Sequence, residues 1–92
     1  MSEKQIHATH PQVVNRLKRA QGHLRGIVAM IENGRPCRDI AQQMHAVEKA
    51  VSRAKKTLIQ DHIDNCLEDA VDGLSHKQRH SMEDVKAIAR YL

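Results

Sequence analysis

Two cysteines and one histidine carry the most informative chemistry in the sequence. His62 and Cys66 are four residues apart, so on a helix they share one face. An imidazole nitrogen and a thiolate sulfur at that spacing form a half-site for a soft metal ion. Taken alone, the pair more often marks a helix-end histidine beside a packed thiol. Cys37 changes the balance. It lies on the same apolar stripe, but about 37 Å away along a straight helix, so one copy of that helix cannot gather all three residues. A second copy laid antiparallel can. Cys37 then faces Cys66, Ile40 faces His62, Met44 faces Leu58 and Val47 faces Ala54, with a two-fold axis near Val51. Two thiolates and one imidazole from two chains make a soft three-coordinate site, which suits Cu(I) best.

The elements that must position these groups are helices. The first is expected from about Pro11 to Asn33. Pro11 suits a first helical position, Thr9 or His10 would cap it, and Gly34 suits the position just past its end. Val13, Leu17, Ala20, Leu24, Ile27 and Ile31 form an apolar stripe at alternating spacings of four and three. Gly22 and Gly26 lie on a second face, where the absence of a side chain would permit close helix approach.

The second helix is expected from near Pro36 to about Val71, ended by Gly73. Its stripe runs Cys37, Ile40, Met44, Val47, Val51, Ala54, Leu58, His62, Cys66. At about 50 Å it is too long to bury that stripe on the first helix alone. The third is expected to be short. Ser81 and Asp84 resemble a capping box, and Val85, Ile88, Ala89 and Leu92 supply an apolar side. Leu74–His80 reads as a polar connection. Residues 1–92 read as one domain, with 1–10 as a flexible arm.

Charge is distributed unevenly. Residues 1–60 hold 11 Lys/Arg and 4 Asp/Glu, whereas 61–92 hold 4 Lys/Arg and 7 Asp/Glu. A basic portion ending in an acidic one suggests a polyanion partner on one face. In the antiparallel arrangement, Arg16, Arg19, Lys49, Arg53, Lys55 and Lys56 spread across one face. No helix-turn-helix, zinc-finger or basic-zipper spacing is present, so DNA binding would lean on phosphate contacts and DNA shape.

Composition excludes several classes. No apolar run approaches the roughly 20 residues of a membrane span. The opening MSEKQIHATHPQ lacks the apolar region of a secretory signal. Two cysteines make no disulfide framework, so reduced thiols and a cytoplasmic setting are expected. A single aromatic residue, Tyr91, argues against base-stacking modules. No Ser/His/Asp pattern, pair of buried carboxylates or phosphate loop points to an enzyme. The core must be aliphatic, and at 92 residues it would be marginal without oligomerisation.

The run VVNRLKRAQGHLRGIVAMIENGRPC, followed by QQMHAVEKAV and HIDNC, resembles the CsoR/RcnR family of bacterial metal- and aldehyde-responsive repressors over about residues 12–92. The resemblance implies an all-α, three-helix protomer, an antiparallel four-helix-bundle dimer and a homotetramer. It further implies operator binding by the empty form, with release on effector binding to derepress an efflux or detoxification operon. Cys37, His62 and Cys66 match the family's Cys-His-Cys copper triad. Arg16 and Arg53 match DNA-binding positions of relatives, and Arg19 matches one in the nickel branch.

Nickel and cobalt sensors of the RcnR type carry His where this chain has Cys66, and persulfide sensors lack the His. Formaldehyde sensors keep the equivalents of Cys37 and His62, the former as nucleophile, but use an N-terminal Pro and no terminal Cys. One nickel-sensing branch adds an N-terminal His to Cys-His-Cys for square-planar Ni(II). The matching position here is Gln5, and His7 lies two residues on as a possible extra ligand. Copper members often place Tyr before the first Cys and Glu in the third helix. This chain has Pro36 and, in the third helix, Glu83. The alternatives to Cu(I) are therefore Ni(II)/Co(II) or formaldehyde acting on Cys37.

Overall fold

The computed structural model describes the backbone of residues 9–71 and 75–92, and the side chains of 9–65 and 82–92. The described residues form three helices: α1 His10–Glu32, α2 Cys37–Val71 and α3 Ser75–Ala89. Among the described residues there is no strand, and no helix is long and apolar enough to cross a membrane.

The ends of α1 and α2 follow from local chemistry. Gly34 adopts φ +69°, a left-handed conformation that glycine takes without steric cost. This lets Gly34 N donate to Ile31 O at 3.1 Å and Arg35 N donate to Met30 O at 3.0 Å, satisfying the last carbonyls of α1 in a Schellman motif. Two residues later Pro36 starts the next helix, its carbonyl accepting from Asp39 N at 3.0 Å and Ile40 N at 3.1 Å. Asp39 puts a carboxylate in the first turn, where the helix dipole favours it. At the other end of α1, Thr9 does not cap: its buried Oγ1 has no hydrogen-bond partner among the described residues.

Residues 11–54 form one compact unit, and 55–92 belong to another. In the first unit α1 folds back on the first half of α2. The apolar stripe of α1 divides here. Val13, Ala20 and Ile27 are buried, whereas Leu17, Leu24 and Ile31 are not. The buried set repeats every seven residues, and the buried Val47 and Ala54 do the same on α2. The exposed set joins Val14 and Val28 in a second seam, one position round the helix. Gly22 and Gly26 serve no helix contact within this unit. A Cβ on Gly22 would meet only the tip of Arg25 at 3.8 Å, and one on Gly26 would meet nothing within 4 Å.

In the second unit Ile59, only 2% exposed, is the most deeply buried large side chain among the described residues. The third helix begins at Ser75, six residues before the expected start. The stretch read as a polar connection is therefore helix apart from Leu74, which with Gly73 lies outside the described residues. Ser81 falls inside α3 and does not cap it. The segment is rich in Lys, Gln and Arg, which are good helix formers, but carries no apolar period that would reveal it.

Candidate metal centre and cationic hollow

Cys37 is the first residue of α2, exposed and carrying a free thiol. His62 lies on the last third of the same helix, with its side chain 15% exposed. Its Nε2 donates to Asp84 Oδ2 of α3 at 2.5 Å. Which ring nitrogen carries the proton follows from this partner, since a carboxylate only accepts. The aspartate read from sequence as a helix cap is thus the residue that orients the candidate ligand. Glu83, its neighbour, is exposed. Cys66 lies on α2 one turn beyond His62, and its side chain lies outside the described residues. Asn65, between them, donates its Nδ2 to Asp61 O at 2.8 Å.

This arrangement fits a metal-ligating histidine. Such residues characteristically donate one ring N–H to a carboxylate, which fixes the tautomer and ring plane and leaves coordination to the other nitrogen. Coordination through Nδ1 would preserve the bond to Asp84. Among the described residues, no three Cys, His, Asp or Glu side chains gather into a metal-binding group. The candidate ligand His7 lies outside the described residues.

The basic residues divide. Arg16, Arg19 and Arg53 line a single hollow of about 340 Å³, with Ala20, His23 and Ala50. Arg16, Arg19 or Ala20, and His23 recur at helical spacing on α1, and Ala50 and Arg53 face them from α2. The hollow exists because small residues occupy its lining where larger ones would fill it. His23 Nε2 donates to Gln43 Oε1 at 2.6 Å, tying the ring across to α2. His23 is not among the residues that the sequence pattern singles out. Its seven-residue distance from Arg16, on the same face of α1, is the signal that could have placed it. Lys49 and Lys56 are exposed and do not line the hollow.

Residues 9–91 match the family described as metal-sensitive transcriptional repressor. The chain belongs to that family of transcriptional repressors. It is 36% identical over 86 residues to the copper-sensing transcriptional repressor CsoR of Mycobacterium tuberculosis (strain ATCC 25618 / H37Rv), covering 92% of this chain and 71% of that one. It is 45% identical over 60 residues to the copper-sensing transcriptional repressor CsoR of Bacillus subtilis (strain 168), covering 65% of this chain and 59% of that one. The match thus spans less than two thirds of the Bacillus protein's length. Among solved structures, the nickel-responsive transcriptional regulator InrS superposes with a TM-score of 0.80 at 27% identity, covering 98% of this chain and 100% of that one.

Proposed function

We propose that this chain is a Cu(I)-responsive transcriptional repressor that binds operator DNA when its metal site is empty and releases it when the site is filled. Cys37 of one copy would hold the metal with His62 and Cys66 of another. The observation that carries this reading is the hydrogen bond from His62 to Asp84, which presets one ligand and ties it to α3. The copper-sensing relatives support the choice of metal, and two soft thiolates with one imidazole match Cu(I).

The second copy is part of the reading. Leu17, Leu24, Val28, Ile31 and Met44 are each 42–56% exposed. On α1 these residues follow the alternating spacing of a helix-packing seam, with nothing in the same unit to cover them. A two-fold dimer, and a tetramer built from it, would bury that seam and bring Cys37 to its partner ligands. Arg16, Arg19, Arg53, Lys49 and Lys56 would meet the phosphates of double-stranded operator DNA. Filling the metal site would favour a helix arrangement that fits DNA less well.

The test is an anaerobic titration of reduced protein with Cu(I), read by anisotropy of labelled promoter DNA. Near-stoichiometric Cu(I) should release the DNA. Cys37→Ala should bind DNA as before and resist release, and a Cys37→Ala protein still released by Cu(I) would refute the reading. The likeness to InrS favours Ni(II) as the second reading. That reading requires tight Ni(II) binding lost in His7→Ala.

A further inference from the structure

The hollow on the 11–54 unit holds one imidazole, that of His23, among three guanidiniums. Imidazole is the side chain whose charge ordinarily changes between about pH 5 and 8. The charged groups that line the hollow with it are Arg16 and Arg19 from α1 and Arg53 from α2, and no carboxylate lines it. The ring is half-buried and fixed, because its Nε2 donates to Gln43 Oε1 at 2.6 Å. An amide oxygen only accepts, so this nitrogen keeps its hydrogen in the neutral and in the charged ring alike. The proton that changes the charge is therefore gained and lost at Nδ1, and the tie to Gln43 survives the change. Titration adds or removes one positive charge in the hollow without releasing the ring. Guanidiniums beside an imidazole oppose its protonation, whereas an anion beside it favours protonation.

We propose that His23 takes up a proton when the protein binds DNA, so that operator binding is linked to pH and strengthens as the medium becomes more acidic. The inference rests on the DNA reading above and adds a dependence that the arginines cannot supply, since a guanidinium stays charged throughout this range. The sign follows from linkage. The DNA-bound state holds more protons than the free protein, so affinity falls as pH rises through the range where the ring titrates. A backbone phosphate keeps its single negative charge across that range, which leaves the imidazole as the group that changes. His23 is not a metal ligand in the reading above. The protein would thus read two inputs at separate residues, a metal that releases DNA and a proton that tightens the hold on it.

The experiment uses full-length, reduced, metal-free protein and duplex promoter DNA at constant ionic strength. One arm measures affinity by anisotropy at a series of pH values. The other measures binding by calorimetry at one pH near neutrality, in two buffers of different ionisation enthalpy, which gives the protons taken up per DNA bound. His23→Gln keeps a donor for Gln43 but cannot titrate, and circular dichroism confirms its helix content. His45→Gln removes an imidazole from α2 outside the hollow. Between about pH 8 and pH 6 the wild type should gain roughly three- to tenfold in affinity beyond any gain shown by His23→Gln, within the tenfold per pH unit that one linked proton allows. Its proton uptake should be lost in His23→Gln, and His45→Gln should keep the wild-type slope and uptake. Equal slopes and equal uptake in the wild type and His23→Gln would overturn the proposal, as would an equal loss in His45→Gln, which would mark a general charge effect. In both of those cases DNA binding itself stands. A wild type that binds promoter DNA at no pH instead removes the DNA reading, and the proton linkage with it.

Discussion

His62 and Asp84, 22 residues apart in the chain, are joined by a 2.5 Å hydrogen bond between the last third of α2 and α3. The bond fixes the orientation of the imidazole and gives α3 a direct mechanical connection to it. Asp84→Ala should leave the helices formed but weaken Cu(I) affinity about 10–100-fold, measured by competition with a chelator of known affinity. Asp84→Asn, which keeps an oxygen acceptor, should lose less. An alanine variant with unchanged affinity would remove Asp84 from the site.

Arg53 should contribute to DNA binding as a phosphate contact. Arg53→Ala should weaken promoter binding across all duplex sequences and reduce the slope of log affinity against log salt by about 1. A loss confined to one sequence, with the salt slope intact, would instead mean base readout.

The exposed seam on α1 gives a prediction about assembly. Leu24→Glu places a charge where a second copy would pack, on a residue already exposed within its own unit. The variant should keep its helix content and drop to monomer by light scattering, with loss of tight Cu(I) binding. Persistence of the wild-type oligomer would move the interface elsewhere.

Gly34 tests the turn that separates the first two helices. At φ +69° any side chain is strained, so Gly34→Ala should destabilise the fold by about 1 kcal/mol. For a chain of this size that is a fall in Tm of roughly 4–8 °C. An unchanged Tm would mean that the turn relaxes without cost.

The first two helices were legible because their punctuation is strong. Gly34 and Pro36 allow almost no other reading, and the apolar spacing of α1 and α2 is regular over many turns. The start of α3 was not, because the stretch from Ser75 to Ser81 is polar throughout and declares helix only by propensity. The burial pattern was half legible. Val13 and Leu17 look alike in sequence, and only the placement of α2 separates the buried seam from the exposed one. In the candidate site, His62 was found by its spacing to Cys66. Its partner Asp84 was not, since no pattern links positions 22 residues apart. Arg16, Arg19 and Arg53 were identified as basic, but their convergence on one hollow with His23 needed the fold.

The central claim is that the metal site is shared between two chains, and subunit mixing tests it most directly. Cys37→Ala and Cys66→Ala proteins each lack one thiolate from every site. In a mixed dimer, Cys37 of one chain meets His62 and Cys66 of the other in one complete site. After the two variants are exchanged in equal amounts, anaerobic Cu(I) titration should recover about a quarter of the wild-type tight sites, the statistical share. Each variant alone should show none. A mixture that, after verified subunit exchange, binds no more Cu(I) than its separate components would contradict a shared site.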